Sequence, residues 1–331
     1  MAHPRAMDSH ATTALTPAHA SGDPQQRFTR FAWGVLGYTL FVVLFGAVVR
    51  ITGSGAGCGQ HWPSCNGELL HVPQTLHTVI ELTHRVTSGL LLIASITLLY
   101  GAFRVHARGH SARAAAVMAF AMTIVEALIG AVLVLLRLVV NDASFGRILA
   151  LPLHLVSVSL LTAALTWCAY FSMIGMSKLR PLPSTARTLL LLAGIGILLV
   201  SATGAVTALG DTVYPVKASG LSARLQEDQG ASAHLLQRMR GIHPFLAIAV
   251  AAFVAYTALL IPGYCTNPHV KRASLALVVC VFLQVCAGAL NVWLSAPGPM
   301  QVLHLLLANF TWISLILLAA AARLQDSPSP A

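Results

Sequence analysis

Eight apolar runs separated by short polar segments set the pattern of this chain. They lie at about 31–49, 79–100, 113–136, 149–174, 188–209, 242–261, 272–294 and 301–322. A bilayer-spanning helix takes roughly 20 mostly apolar residues, and each run qualifies. Irregular backbone is not tolerated against lipid, so the pattern predicts an all-α integral membrane protein with eight transmembrane helices. Composition agrees: 56% of the 331 residues are hydrophobic, 9% are charged, and the mean hydropathy is +0.76. The polar stretch 1–26, rich in Ser, Thr, Pro, His and Ala, predicts a disordered cytoplasmic tail. It lacks the basic start and short apolar core of a secretory signal. Asp8, Asp23 and a scarcity of arginine argue against a mitochondrial presequence. A second disordered tail is expected at 324–331, with Ser327-Pro328-Ser329-Pro330.

The net charge of +10 carries information through its distribution and gives no reason to expect nucleic acid as a partner. With the N-terminus placed in the cytoplasm, 12 of the 20 Lys and Arg fall on the inner side and 7 on the outer, with Arg85 inside a helix. The excess favours cytoplasmic N- and C-termini. It is moderate because the outer segment near 210–240 holds Lys217, Arg224, Arg238 and Arg240.

The first four runs resemble the last four. Gly46-Ala47-Val48 is echoed by Gly204-Ala205-Val206, and Gly130-Ala131 by Gly288-Ala289, each 158 positions on. This predicts two tandem four-helix bundles, 27–176 and 177–323. Each half holds an even number of spans, so the two share one orientation, as a parallel repeat.

Four histidines follow the same repeat: His84, His154, His243 and His304, each near the start of an even-numbered run. All four should therefore lie toward the outer leaflet. An ionisable side chain at membrane depth is rare and has a partner. Four of them at matched depth predict two pairs of axial ligands for iron porphyrins. No Cys-x-x-Cys-His occurs, so the b type, without covalent attachment, is expected. His61, His71, His77, His106, His110, His234 and His269 fall in or beside loops and are expected to be solvated. His77 is the least settled, because it precedes His84 by seven residues.

The segment Arg50-Ile51-Thr52-Gly53-Ser54-Gly55 through Cys58, Trp62-Pro63-Ser64-Cys65-Asn66-Gly67 is dense in turn formers. Loops of this kind carry function when a rigid scaffold holds them. A disulfide can close between Cys58 and Cys65 on the oxidising side, with two free thiols as the alternative. A zinc site with His61 lacks an evident fourth ligand.

This loop, together with Glu81-Leu82-Thr83-His84-Arg85, resembles the heme A synthase family over about 31–322. The resemblance implies oxidation of one ring methyl of heme O to a formyl group, giving heme A for cytochrome oxidase. The expected steps are successive hydroxylations and loss of water. It places the substrate heme at His84 and His154, a permanent heme b at His243 and His304, and a functional acid at Glu81. It implies location in the bacterial plasma membrane. It also implies partners: a heme O synthase upstream, cytochrome oxidase assembly factors downstream, and an electron donor that the sequence does not name. A homo-oligomer stays open. The chain departs from the family pattern in two places. Some bacterial members carry a second cysteine pair in the outer segment 210–240, and here there is none. His243 is followed by Pro244 instead of Arg, which a first-turn position would tolerate.

Glu81 and His84 are three residues apart and share a helix face. Glu81 is read as handling protons during methyl oxidation, with pairing to an arginine as the alternative. Glu126, a second intramembrane carboxylate opposite Gln284 in the repeat, is read as polar packing or a heme-edge contact. Arg50, Arg85, Arg238 and Arg240 are candidate contacts for heme propionates. The rival function is a diheme b-type cytochrome exchanging electrons with quinone, which needs the four histidines but not Glu81 or the loop. A transporter with parallel repeats is the third class.

Overall fold

The computed structural model describes residues 23–69, 71–175, 179, 181–216, 221–265 and 267–324. Residues 1–22 and 325–331 of the expected tails, and Lys178, Arg180 and Lys217, lie outside that set. The helices are α1 (Pro24–Ile51), α2 (Leu76–Val105), α3 (Ser111–Leu135), α4 (Phe145–Ile174), α5 (Ser184–Val213), α6 (Leu221–Gln229), α7 (Leu235–Leu260), α8 (Pro268–Trp293) and α9 (Gly298–Ala321). All except α6 are long and apolar enough to cross a membrane, which makes eight spans among the described residues. A single turn of 3₁₀ helix, Ile261–Tyr264, extends α7.

Every span starts two to seven residues before its apolar run, because polar capping residues lie ahead of the first hydrophobic position. Asp23 accepts from the Gln25 N–H with Pro24 in the first turn, so 24–26 are helix and not tail. Thr75 caps α2, Ser144 caps α4, Asn267 caps α8, and His234 forms a capping box with Gln237 at α7. The early start of α7 corrects one expectation. Pro244 sits well inside the helix, not in its first turn, and leaves the Arg240 carbonyl without its usual N–H partner. Pro152 does the same to Ile148 in α4. Both prolines lie within two residues of a candidate ligand histidine. The segment 210–240 is also more ordered than a plain loop, since it contains α6.

In the first four spans, α1 and α3 each pack against both α2 and α4. In the last four, α5 and α8 each pack against both α7 and α9. The histidine-bearing helices are thus diagonal neighbours, held apart by the helices between them. The two groups meet where α4 packs on α5 and α9, and α1 on α9. The Trp312 Nε1–H donates to the Ser159 carbonyl across this seam at 2.7 Å. Large apolar side chains such as Phe41, Ile93, Leu128, Leu191 and Phe282 remain exposed on the outside, where a bilayer would cover them.

The repeat extends to backbone detail. Past the end of α3, the Leu138 N–H bonds the Leu133 carbonyl at 2.8 Å. Past the end of α8, 158 positions on, Ala296 N–H bonds Asn291 at the same distance. Arg137 and Ser295 take left-handed φ of 58° and 63° at these equivalent points, the geometry of a Schellman C-cap without glycine. The symmetry fails at α1 and α5: α1 stops ahead of Gly53 (φ 65°), while α5 runs on to Val213.

His106 and His110 are buried, contrary to the solvated expectation. Their rings stack at 4.2 Å, Phe28 of α1 meets His106 edge-on at 5.1 Å, and His110 Nδ1 accepts from Ala112 to cap α3. Burial, with lesser contributions from His110 and Arg113, lowers the His106 pKa from 6.5 to about 4. Burial followed by Arg113 lowers that of His110. The fold therefore favours neutral rings. The unfolded chain binds more protons between pH 6.5 and 4, so the pair stabilises the α2–α3 connection fully above 6.5 and less as pH falls through that window. Thermal unfolding of detergent-solubilised protein should show a lower midpoint at about pH 5 than at about pH 7.5, and His106→Phe should shrink the difference.

Candidate functional site

The four expected ligand histidines are brought together in two pairs. His84 on α2 is near enough to His154 on α4 to interact electrostatically, and His243 on α7 to His304 on α9. Three of them rest against glycines of neighbouring helices. A Cβ built on Gly46 would lie 3.2 Å from His84 Cε1, one on Gly204 3.1 Å from His243 Cε1, and one on Gly288 3.0 Å from His304 Cε1. These glycines are the anchors of the sequence repeat, so the repeat marks the places where helices approach an imidazole. The remaining anchor, Gly130, has nothing within 4 Å.

His154 is approached by a side chain instead. Its Nδ1 lies 2.9 Å from Glu126 Oε2 on α3, and Ser157 Oγ donates to the other Glu126 oxygen. Nε2 of His154 is thereby left to coordinate. At His304 the repeat-equivalent residue, Gln284, meets the other ring nitrogen, Nε2 at 3.2 Å, and Nδ1 is buried without a hydrogen-bond partner among the described residues. Thr203 Oγ1 meets His243 Nδ1 at 3.0 Å. His84 Nδ1 is buried without a hydrogen-bond partner among the described residues, beside the edge of Phe45 at 5.9 Å. Buried ring nitrogens and glycine-lined approaches fit imidazole ligands of iron porphyrins. No cluster of three or more metal-binding side chains occurs among the described residues.

The loop ahead of α2 is pinned at the start of that helix. Cys58 and Cys65 form a disulfide with Cα atoms 4.4 Å apart, which also withdraws both thiols from any zinc site. Glu81, 3% exposed, accepts from the Cys58 N–H at 2.8 Å through Oε2. Its Oε1 receives Arg85 Nε and Nη2. Arg85 Nη1 reaches the carbonyls of His61 and Ser64 on the same loop. Gly57 is where backbones touch: a Cβ there would lie 2.4 Å from the His77 carbonyl oxygen. His77 turns away from His84 and pairs through Nδ1 with Ser54 Oγ at 3.0 Å. His71 pairs with Glu68 at 2.9 Å, and His61 is exposed.

The other arginines singled out in the sequence are similarly engaged. Arg50 donates to the Ala208 carbonyl, to Thr212 Oγ1 and to Gln301 Oε1, bridging α1, α5 and α9. Arg240 is sealed beneath α6, with Nη2 2.6 Å from Asp228, Nη1 3.5 Å from Asp211, and a bond to the Tyr214 carbonyl. Arg238 is exposed and reaches only the Ala231 carbonyl at 3.5 Å among the described residues. Sequence reasoning missed Asp211, Asp228 and Thr203. Thr203 had a signal, since it stands where Phe45 stands in the first copy, next to a repeat glycine.

Filling a glycine beside an imidazole should displace that ring. Gly204→Leu is expected to abolish the low-spin absorption of one iron porphyrin in purified protein, whereas Gly37→Ala, with open space around it, should leave the spectrum intact.

Comparison with known proteins adds three findings. Residues 29–316 match the family model COX15-CtaA, described as cytochrome oxidase assembly protein. A Thermus thermophilus protein named protoheme IX farnesyltransferase is 40% identical over 297 residues, covering 89% of this chain and 48% of that relative. Its counterpart from a second Thermus thermophilus strain matches equally, so the chain spans about half the length of these two relatives. A Bacillus cereus protein named heme A synthase is 27% identical over 290 residues, covering 84% of this chain and 88% of its own.

Proposed function

Because the chain belongs to the cytochrome oxidase assembly protein family, we propose that it is a heme A synthase, a membrane-bound oxidoreductase converting heme O to heme A. The features that support this reading are four histidines in two electrostatically neighbouring pairs, with the disulfide-closed loop bonded to Glu81 one turn before His84. His84 and His154 hold the iron of heme O in the 27–176 half. His243 and His304 hold a heme b in the 177–323 half. Bound there, heme b supplies one-electron transfer at a potential set by its ligands and burial. Both termini are assigned to the cytoplasmic side of a bacterial plasma membrane, with the 52–75 loop and both sites toward the outer face, following the charge asymmetry.

The chain's own groups divide the work. Arg85 and the disulfide fix the loop over the first site, which keeps water from it. Glu81 stands one turn before His84 as the acid–base group of that face. Its oxygens are committed to Arg85 and the Cys58 N–H, so proton exchange requires Arg85 to let go. The anion also secures the loop, and the two roles separate kinetically. Arg50 and Arg240 are engaged by protein partners; Arg238 is the exposed guanidinium left for a propionate in the second half.

The farnesyltransferase name of the Thermus relatives belongs to proteins twice as long as the matched region. Prenyl diphosphate chemistry needs carboxylates grouped around magnesium. Of the ten acidic residues here, only Glu227 and Asp228 lie within two turns of each other, and adjacent residues do not share a helix face. Farnesyl transfer is therefore not proposed for the matched residues 29–316, and a heme O synthase activity is the expected source of their substrate. The second reading is a diheme b cytochrome passing electrons to or from quinone, for which the four histidines alone would suffice.

Reversed-phase analysis of hemes from cells supplied with heme O should show heme A only when the chain is present; unmodified heme alone would favour the cytochrome. Glu81→Gln should retain both hemes and lower product formation by about a hundredfold, the scale of a lost acid–base group. Product formation at the normal rate would leave Glu81 with the loop-anchoring role only.

A further inference from the structure

Resting on the assignment of His84 and His154 to the substrate heme, we propose that His84 is the ligand that leaves the iron and His154 the one that stays. Departure of His84 opens a coordination position on its own side for a diatomic ligand.

The four imidazoles differ in what meets their ring nitrogens. His243 has the Thr203 hydroxyl at 3.0 Å, His304 the Gln284 amide at 3.2 Å, and His154 the Glu126 carboxylate at 2.9 Å. His84 has no polar partner among the described residues at its buried Nδ1, and neither has His304, whose Gln284 contact is at Nε2; beside His84, Phe45 occupies the place that Thr203 takes in the second copy. Phe45 and Thr203 are 158 positions apart, as are Glu126 and Gln284. The two sites therefore use the same positions and fill them differently. The second holds no carboxylate among the described residues: a hydroxyl stands behind one imidazole, and the other has no partner at Nδ1. The first is polarised, with a carboxylate behind one ligand and a phenyl edge beside the other.

A hydrogen-bond acceptor behind a ligating imidazole fixes its tautomer and orientation and raises its donor strength. Glu126 does this for His154, and Ser157 fixes Glu126 in turn. His84 has packing alone to orient it, so its iron bond is the weaker of the two. An iron held on both faces by equal ligands has no vacancy for a small molecule. Unequal ligands give it one without loss of the heme.

The test uses the purified full-length chain loaded with heme O, reduced, and probed with carbon monoxide. Wild-type protein should bind carbon monoxide at one iron of two. His84→Gly should keep its substrate heme, show it high-spin, and bind carbon monoxide about tenfold faster, whereas His154→Gly should lose that heme. Phe45→Thr, which installs the second site's hydroxyl, should slow carbon monoxide association about tenfold with heme content unchanged, the lower end of effects for groups behind a ligand. Glu126→Gln should raise the midpoint potential of the substrate heme and leave that of heme b where it was. If His154→Gly keeps the heme and binds the probe while His84→Gly loses it, the assignment is reversed. An unchanged association rate in Phe45→Thr would also overturn it. If replacing both His84 and His154 leaves heme O content unaltered, the substrate-site reading itself fails, and this inference with it.

Discussion

An imidazole among hydrocarbon side chains is retained only where its ring is closely packed and its nitrogens have work, and that constraint shapes the protein at four equivalent places. Polar atoms buried without partners cost free energy that nothing in lipid returns. Here α2, α4, α7 and α9 each bring one histidine inward, and the neighbouring helices respond. Three of them offer glycine, so that backbone lies against the imidazole. The fourth offers a carboxylate. In both groups of four spans the histidine-bearing helices are diagonal neighbours, held apart by the helices between them.

The segments over the two sites are fastened by different chemistry at the same register. Glu81 and Arg240 each precede their histidine by three residues, one acidic and one basic. Glu81 takes the Cys58 N–H and Arg85, beneath a loop already closed by a disulfide. Arg240 takes Asp211 and Asp228, the latter presented by α6. The second segment has no cysteine, and this ion cluster ties α6 to α7. Buried ion pairs add little net stability over apolar packing, but removing one partner costs about 3–5 kcal/mol. Both clasps therefore define where a segment sits more than how firmly the whole chain folds.

The eight spans were legible because composition and period are strong signals in a membrane chain. The glycines that recur at an interval of 158 were also legible, and three of them lie beside imidazoles. Helix starts were not, since capping residues such as Asp23 and His234 are polar and lie outside any apolar count. The role of Pro244 was misjudged for that same reason. His106 and His110 read as solvated because burial of a loop depends on which side chain of another helix covers it, here Phe28. Glu126 was recognised as a membrane carboxylate, but its partner belongs to a different helix and depends on how α3 is rotated against α4. Guanidinium groups invite assignment to anionic ligands, yet Arg50 and Arg240 found acceptors within the protein.

Arg50 shows why the two copies could not remain alike. In the 158-residue repeat its equivalent is Ala208, and Arg50 donates to the Ala208 carbonyl at 2.7 Å. Two equivalent positions that touch lie beside the axis relating the copies. An arginine kept in both copies would bring two guanidinium groups together at the edge of the hydrocarbon region, where like charges repel and water is scarce. Only one copy can carry the charge. The other must supply acceptors, which here are the Ala208 carbonyl, Thr212 and Gln301. Gln301 precedes His304 by three residues, where the first copy has Leu151 before His154. The bridge at the axis thus reaches one ligand helix and not its equivalent. The contact between positions 50 and 208 is therefore asymmetric, and through Gln301 it reaches the helix that carries His304.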